Sequence, residues 1–363
     1  MTENDFLSRT NSKTVENGSV TWQSPSNIAL VKYWGKKENQ VPANPSVSFT
    51  LDHCKTTTTL KFHKRESPAA KDEDIDFEFY FEGKKKEDFK PKISTFFKRI
   101  ENYCPYLREY HLEISSENSF PHSSGIASSA SGMSALALCL MSLEKELNPE
   151  ITNEYFNKKA SFLARLGSGS ACRSIEGSLI EWGKHADLSD SSDLYAIKYP
   201  YKVDAVFQKF QDTILLVDKG QKQVSSTVGH NLMHGHPFAE ARFQQAHDNL
   251  HNLKPIFATG DLNAFMNLVE SEALTLHAMM MSSNPYFILM KPNTMEIINK
   301  IWEFREATAL PVCFTLDAGA NVHVLYPKKN KVEILEFIKN ELVAYCENGQ
   351  YICDQIGNGA KKL

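Results

Sequence analysis

The chain has 363 residues, of which 42% are hydrophobic, and this length exceeds what one hydrophobic core usually serves, so we expect two lobes. The 40 lysines and arginines against 44 aspartates and glutamates give a formal net charge of -4, which provides no general attraction to nucleic acid or to an anionic membrane surface. An anionic ligand must therefore be bound by a local cluster of positive groups.

Residues 1–17 are polar and are predicted to form a mobile arm. No run of residues reaches the roughly 18 apolar positions that a membrane-spanning helix requires, and the N-terminus has no apolar signal segment. Seven cysteines are scattered without a C-x-x-C pair, which is not the pattern of a disulfide framework or a zinc ribbon. We expect a soluble, cytoplasmic protein with reduced, mostly buried thiols.

The first third of the chain is predicted to be rich in β-structure. Apolar alternation and β-branched residues, separated by Pro, Asn, Lys and Gly, indicate strands in VTWQS, NIALVKYWG, SVSFTLD, TTTTLKFH and IDFEFYF, all before residue 82. The charged stretch from Lys71 to Lys90 is interpreted as a solvated hairpin. A helix is predicted over 87–102, and alternation returns at 111–118.

Helices dominate the remainder of the chain. They are predicted near 126–146, 151–165, 236–257, 261–282, 292–308 and 331–343, with strands near 175–183, 213–218, 312–317 and 322–327. Strands and helices are mixed without strict alternation, so the predicted class is α+β. We place the lobe boundary near residue 205, which gives lobes of 18–204 and 205–363.

The strongest local signal is SENSFPHSSGIASSASGMSALALCLMSL at 115–142. A strand runs into a Pro-Ser-Gly loop, and a helix then begins on small residues, which bury little and weaken a helix start. The first N–H groups of a helix have no internal partners, so a Gly/Ser-rich entry of this kind suits phosphate groups. The alternative is a flexible serine linker, but a linker would not run directly into an apolar helix.

A second signal is RLGSGSACRSIEGSLIEW at 165–182. Its glycine-serine turn offers N–H and hydroxyl donors beside the guanidinium of Arg173, and this combination suits a carboxylate or a diphosphate. A structural turn with a surface arginine is the competing interpretation.

Two further segments carry charged residues in unusual settings. Lys32 and Lys36 flank an aromatic pair in a segment predicted to be a strand, where they either point into a cleft or extend from a sheet edge. Asp317 closes an apolar strand before an Ala-Gly-Ala turn, a position that fits either a catalytic carboxylate at a sheet rim or a turn-forming aspartate.

The histidines near residue 230 imitate a metal cluster, but the sequence does not favour one. His230, His234 and His236 have no acidic partner at ligand spacing, and H-E-x-x-H is absent. A Walker P-loop and G-x-G-x-x-G are also absent.

Taken together, the four segments resemble the motifs of the GHMP kinase superfamily and, within it, the diphosphomevalonate decarboxylase family. Residues 24–36 are similar to N-I-A-x-x-K-Y-W-G-K, and residues 120–132 are similar to the ATP motif F-P-x-x-x-G-x-A-S-S-A-x-G. GSGSACRS at 167–174 is nearly a fingerprint of the family, and DAGAN at 317–321 resembles D-A-G-P-N. The resemblance extends over about residues 18–327.

This resemblance implies a two-lobed GHMP kinase fold, with an N-terminal lobe like ribosomal protein S5 and a ferredoxin-like α/β sandwich as the C-terminal lobe. It implies that Asp317 is the catalytic carboxylate near a C3 hydroxyl, that Arg173 binds the substrate carboxylate, and that Lys32 completes a polar triad. The residues implied to contact the substrate diphosphate are Tyr33, Lys36, Ser168, Ser170, Ser225 and Ser226.

For the nucleotide, the resemblance implies ATP and Mg²⁺. The residues implied to hold ATP are Ser123, Ser124, Gly125, Ser128, Ser129 and Lys222. The ligands implied for Mg²⁺ are Ser129 and Asp317. A homodimer is also expected, and the adenine pocket and the role of residues 55–110 are left unassigned because that region matches the family poorly.

The implied reaction is the ATP-dependent decarboxylation of mevalonate 5-diphosphate to isopentenyl diphosphate, in the mevalonate pathway of isoprenoid synthesis. Related members of the superfamily are alternatives: a mevalonate 3-kinase, a phosphomevalonate decarboxylase or a non-catalytic ligand sensor. Two positions depart from the family pattern, because Leu316 replaces a common aromatic residue and Ala320 replaces proline. Both changes are interpreted as packing differences.

Overall fold

The computed structural model describes residues 1–8, 11–70, 73–121, 126–219 and 226–363. Within them, the first lobe is built on one eight-stranded sheet. Its strands are β1 (Asn17–Val31), β2 (Ser46–Lys64), β3 (Phe77–Phe81), β4 (Lys84–Lys85), β5 (Tyr110–Asn118), β6 (Leu179–Trp182), β7 (Ile197–Lys198) and β12 (Lys361–Lys362). All neighbouring strands pair antiparallel except β3 and β5, which pair parallel.

Two long antiparallel strands form the spine of this sheet and replace four shorter predicted ones. β1 continues through Pro25, and the pairing with β2 shifts register between Pro25 and Asn27. A bulge accommodates the proline that the sequence suggested as a break. β1 ends at Val31, so Lys32 follows the strand, and the prediction of lysines inside a strand was wrong.

The two halves of β1 pack into different apolar cores, and the second half is buried on both faces. Val20 packs into a core under the helices of the first lobe, whereas Ile28 and Leu30 pack into a core shared with the second lobe. Burial of both faces over residues 24–31 explains the continuous apolar run NIALV, which does not alternate.

The helices of the first lobe cover one face of the sheet. They are α1 (Lys90–Ile100), α2 (Ser128–Leu147) and α3 (Asn153–Gly167). The prediction of a mobile N-terminal arm was wrong at Phe6, which is fully buried against Phe162 with ring centroids 4.4 Å apart. Apolar burial of one aromatic ring anchors the start of the chain to this lobe.

The second lobe is built on a four-stranded antiparallel sheet in the order β11-β8-β10-β9. Its strands are β8 (Gln211–Leu215), β9 (Cys313–Thr315), β10 (Val322–Tyr326) and β11 (Tyr351–Gln355), the last of which the sequence did not predict. Its helices are α4 (Ser226–Asn231), α5 (Ala239–Thr259), α6 (Leu262–Met281), α7 (Pro292–Thr308) and α8 (Lys331–Phe337). The α+β class is confirmed.

The chain returns to the first lobe after β11. Gly357 donates to the carbonyl of Thr50, and β12 pairs with Trp22 and Gln23 of β1. Residues 356–362 thus lie against the first sheet, although the lobe boundary proposed from sequence assigned them to the second lobe. Among the described residues, no helix is long and apolar enough to cross a membrane.

The charged segment before α1 contains the predicted hairpin, β3 and β4, which turns at Glu82 and Gly83. Residues 71 and 72 lie outside the described residues. The hairpin is solvated on one side only, because Phe79 and Phe81 stack on Phe89 with ring centroids 5.3 and 5.5 Å apart. These aromatic rings line a large cleft.

Candidate active site

The cleft has a volume of about 600 Å³ and is lined by both lobes. One end is aromatic and aliphatic, with Phe79, Phe89, Ile93 and Met133 in its wall. The other end is charged and polar, and its lining includes Lys32, Tyr33, Lys36, Ser168, Ser170, Arg173, His230 and Asp317. Such a cavity suits a ligand that carries a planar apolar group on one side and anionic groups on the other.

Lys32 lies where β1 ends, and only 1% of its surface is exposed. Its ammonium Nζ donates to Oδ1 of Asp317 at 3.1 Å, and its backbone N–H donates to Oε2 of Glu272 at 2.8 Å. Burial lowers the pKa of the Lys32 ammonium, and the negative charges of Asp317 and Glu272 oppose that effect. Lys32 is therefore a buried cation whose charge depends on acidic neighbours.

Asp317 lies two residues beyond β9, at the rim of the second sheet. Its side chain is 33% exposed, so the carboxylate faces the cleft while Oδ1 contacts Lys32. The ring of His277 donates from Nε2 to the backbone carbonyl of Asp317 at 3.2 Å. The following turn is braced by Thr294, whose hydroxyl donates to the carbonyl of Ala320 at 2.7 Å.

Arg173 lies in a short 3-10 helix, Gly169–Ser174, that follows α3. Nε of the guanidinium donates to Oδ1 of Asn27 at 3.3 Å, and Nη1 donates to Oγ of Ser46 at 2.5 Å. The centroid of the Trp182 indole lies 5.9 Å from Cζ of the Arg173 guanidinium, within the range of a cation–π contact. Because Asn27 on β1 and Ser46 on β2 hold Nε and Nη1, the N–H groups of Nη2 remain for an anion.

The hydroxyl of Tyr33 is buried and has no hydrogen-bond partner among the described residues. It lies against the backbone of Gly169, where a Cβ atom would approach the hydroxyl oxygen to 2.8 Å. A side chain at 169 would have to displace the Tyr33 ring, so this close approach favours glycine. A buried, orphaned hydroxyl next to the serines of the turn fits a polar ligand atom.

Three other predicted contacts surround Tyr33 in the same part of the cleft. Ser168 caps the end of α3, and its hydroxyl lies 3.4 Å from that of Ser129 on α2. Ser170 lines the cleft and its carbonyl accepts from Asn27. Lys36 is half-buried at the mouth, and burial lowers the pKa of its ammonium, with the charge of Arg99 adding to the effect.

The serine-rich start of α2 contributes Ser128 and Ser129 to the cleft wall. Ala127 precedes them in a left-handed conformation, with φ of 43°. The predicted residues Ser123, Ser124, Gly125, Lys222 and Ser225 lie outside the described residues, and the side chain of Ser226 does too. Their predicted contacts with ATP or substrate stay predictions.

His230 belongs to the cleft, although the sequence singled it out only as part of an unlikely metal cluster. Its Nδ1 accepts the N–H of Gly35 at 3.0 Å, and its ring packs on Tyr33 and Trp34 with centroids 4.2 and 4.7 Å apart. Burial lowers the pKa of His230 to about 3. A neutral ring that accepts at Nδ1 carries its proton on Nε2, so His230 acts as a donor there.

Magnesium fits this donor set only as a companion of a nucleotide. The described residues contain no cluster of three or more His, Cys, Asp or Glu side chains that could hold a metal ion. Serine hydroxyls and one carboxylate at the cleft wall suit Mg²⁺, which takes few protein ligands and completes its octahedron with phosphate oxygens and water.

Several residues that shape the site were not predicted from the sequence. Asn27 and Ser46 orient Arg173, Trp182 supports it, and Glu272 holds the backbone of Lys32. Asn27 and Ser46 lie within the motif 24–46, so their polar character in apolar strands was an available signal. Glu272 lies inside an apolar helix far along the chain, and no local pattern indicated its contact.

Comparison with known proteins places two family models on this chain. The diphosphomevalonate decarboxylase-like N-terminal domain matches residues 24–194, and the mevalonate 5-diphosphate decarboxylase C-terminal domain matches residues 213–360. A diphosphomevalonate decarboxylase from Ganoderma lucidum is 30% identical over 88% of this chain and 81% of its own length.

Solved structures agree with the sequence matches. The crystal structure of mevalonate diphosphate decarboxylase from Staphylococcus aureus has a TM-score of 0.80 and 29% identity, covering 96% of this chain and 98% of that chain. A structure described as MDDEF in complex with MVAPP, AMPPCP and magnesium has a TM-score of 0.80 and 27% identity, covering 96% of this chain and 99% of that chain.

Proposed function

The chain belongs to the diphosphomevalonate decarboxylase family, and we propose that it is a carboxy-lyase that converts mevalonate 5-diphosphate and ATP to isopentenyl diphosphate, ADP, phosphate and carbon dioxide. The reaction belongs to the mevalonate pathway of isoprenoid synthesis. The observation that carries the proposal is the Lys32–Asp317 ion pair, which lines one cleft together with Arg173.

In the first step, the hydroxyl oxygen on C3 of the substrate attacks the γ-phosphorus of ATP. The new O–P bond forms as the bond to the ADP oxygen breaks, and the hydroxyl proton passes to the carboxylate of Asp317. Lys32 holds this carboxylate at Oδ1, which directs the other oxygen toward the cleft. Positioning and charge supply most of the catalysis in phosphoryl transfer.

In the second step, the bond between the substrate carboxylate and its neighbouring carbon breaks, and carbon dioxide leaves. The electron pair forms the carbon–carbon double bond as the phosphate departs from C3. A phosphate is a far better leaving group than hydroxide, which is why ATP is consumed. The guanidinium of Arg173 holds the substrate carboxylate, and Arg173 and Lys32 together stabilise the departing anion.

The nucleotide and the substrate diphosphate are proposed to bind at opposite ends of the cleft. The aromatic rings of Phe79 and Phe89 suit the adenine base, and Ser128 and Ser129 suit the ATP phosphates near a helix start. Bound Mg²⁺, with Ser129 and Asp317 as candidate ligands, would neutralise phosphate charge. The relative bound to MVAPP, AMPPCP and magnesium supports this ligand set.

The substrate diphosphate is assigned to the cationic end of the cleft. Lys36 supplies charge at its mouth, Ser168 and Ser170 supply hydroxyls, and the orphaned hydroxyl of Tyr33 gains a partner. These contacts favour a diphosphate over a monophosphate, because four donors converge where a single phosphate would leave some unpaired.

A parallel assay tests the proposal. Purified protein with ATP and Mg²⁺ is offered mevalonate, its 5-phosphate and its 5-diphosphate, and ADP and carbon dioxide are scored separately. We expect both products only from the diphosphate. ADP without carbon dioxide would indicate a 3-kinase, carbon dioxide from the monophosphate would indicate a phosphomevalonate decarboxylase, and binding without either product would indicate a sensor.

The expected homodimer and cytoplasmic location also belong to the proposal. Six of the seven cysteines are buried and all seven are free, which supports a reducing compartment. Light scattering coupled to size exclusion would measure the mass against 41.1 kDa for one chain.

A further inference from the structure

The backbone of Lys32 is held by a buried ion pair from the second lobe. Pairing of β1 with β2 ends at Val31, so the N–H and carbonyl of Lys32 need other partners. The N–H donates to Oε2 of Glu272 at 2.8 Å, and the carbonyl accepts from Nη2 of Arg242 at 3.0 Å. Asn44 adds a second donor to that carbonyl at 2.9 Å.

Arg242 and Glu272 are joined by two parallel hydrogen bonds between α5 and α6. Nη1 of Arg242 donates to Oε1 of Glu272 at 3.0 Å, and Nη2 donates to Oε2 at 2.6 Å. Both side chains are fully buried, and Asn249 donates to Oε1 at 2.6 Å. With both carboxylate oxygens engaged twice, the orientation of the pair is fixed.

Stability alone does not account for this pair. The free energy required to remove two charges from water offsets much of their attraction, so a buried ion pair is weak evidence for a stabilising role. A second Arg–Glu pair on α6, Glu270 with the partly exposed Arg305, bonds Trp302 and the carbonyl of Val312, all within the second lobe. The Arg242–Glu272 pair differs because it reaches across to both backbone polar groups of Lys32.

We propose that Arg242 and Glu272 are positioning residues that set the backbone of Lys32 so that its ammonium meets Asp317 in the cleft, an inference that rests on the proposed function. The side chain of Lys32 is buried, so the place of its Nζ follows from the place of its Cα. Lys32 belongs to the first lobe, whereas Arg242, Glu272 and Asp317 belong to the second. The pair therefore fixes the first lobe to the second at the point where the reacting groups meet.

Misplacement of Lys32 would affect the chemical steps more than ligand binding. An offset of about 1 Å at a catalytic group is enough to lower the rate greatly. The diphosphate contacts at Lys36 and Ser170 and the aromatic end of the cleft do not touch Arg242 or Glu272 among the described contacts. Substrate and ATP should still bind when the pair is altered.

The test compares Glu272→Gln with Glu270→Gln, which breaks a partly buried Arg–Glu pair on the same helix without contact to Lys32. For Glu272→Gln we expect kcat to fall by about tenfold or more, while KM for ATP and for mevalonate diphosphate changes less than about twofold. Glu270→Gln should lower the melting temperature but leave kcat within about twofold of wild type.

Arg242→Lys and Arg242→Met extend the test and carry it if Glu272→Gln fails to fold. Lysine keeps the charge but cannot bond Glu272 twice and Lys32 once, so kcat should lie between wild type and Arg242→Met. Wild-type kcat in both Glu272→Gln and Arg242→Lys, or losses in kcat no larger than those of Glu270→Gln, would overturn the inference. An inactive wild-type protein would instead count against the proposed function.

Discussion

The ammonium of Lys32 lies 3.1 Å from Oδ1 of Asp317, although the two residues are 285 positions apart in the chain. The lysine side chain is 2% exposed and the aspartate side chain is 33% exposed, so the ammonium is buried while the carboxylate faces the cleft. The carboxylate can thus meet a ligand while it compensates a buried charge. A substitution at either residue should therefore change the position and the charge state of the other.

Asp317→Asn should abolish turnover while ATP and substrate still bind. The amide is nearly isosteric, so the turn braced by Thr294 should survive, but it cannot accept the hydroxyl proton. Loss of a general base typically costs on the order of 10²–10⁴ in rate. ADP formation and carbon dioxide release should fall together, and both are measured under single-turnover conditions.

The matched control for Asp317→Asn is Asp52→Asn. The Asp52 side chain has a similar exposure, 32%, and is also paired with a lysine, but it lies outside the cleft. Its kinetics should match wild type. Near-normal ADP formation by Asp317→Asn without carbon dioxide would place the aspartate in the second step and contradict the mechanism.

Arg173→Lys should lower kcat/KM by at least about tenfold although the charge is kept. A lysine cannot donate to Asn27 and Ser46 and also present two parallel donors to a carboxylate. Arg305→Lys provides a control, because Arg305 also bonds a carboxylate through two nitrogens but lies outside the cleft. Steady-state kinetics that leave Arg173→Lys equal to wild type would make Arg173 a structural residue.

The buried ring of His230 should make the protein less stable in acid. Its pKa is about 3 in the folded protein and about 6.5 when unfolded, so below pH 6.5 only the unfolded chain takes up the proton. The free energy of unfolding should therefore fall as the pH drops from 6.5 toward 3, by at most about 1.4 kcal/mol per pH unit from this residue.

Urea unfolding of wild type and His230→Gln between pH 7 and pH 4.5 measures this contribution. Glutamine can still accept the N–H of Gly35 but does not titrate, so the variant should lose stability less steeply. The exposed His234, changed to Gln, serves as the control and should follow wild type. Equal slopes for wild type and His230→Gln would show that His230 does not titrate in this way.

Phe6→Ala should destabilise the first lobe by about 3–5 kcal/mol, because a fully buried aromatic ring is removed. Leu7→Ala, at a neighbouring side chain that is 43% exposed, should cost far less. Urea denaturation gives the two free energies. Indistinguishable stabilities would mean that the N-terminal segment is only loosely docked, as the sequence first suggested.

The segments that form the cleft were identifiable from sequence because each carries chemistry that its local pattern does not need. Packing alone does not explain these features, which are lysines beside aromatics, a serine-rich helix start, an arginine after a glycine turn and an aspartate after a strand. Lys32, Arg173 and Asp317 come from three such segments and line one cavity. Local signals of this kind are strong because burial of charge is costly.

The supporting contacts could not be predicted, because they depend on tertiary approach. Glu272 bonds a residue 240 positions away, and its helix reads as an ordinary apolar helix. The length of β1 was also hidden, since Pro25 is a break signal in sequence and a bulge in the sheet. Whether Pro25 ends the strand or forms a bulge depends on the pairing with β2, which local sequence does not reveal.

Two crossings of the backbone between the lobes lie side by side. The chain passes to the second lobe before β8 and returns after β11, and Ile356 donates to the carbonyl of Phe210 where the two segments meet. Because the second lobe is joined to the first at both of its ends, a cut in either crossing would leave the second lobe attached to the first sheet through the other.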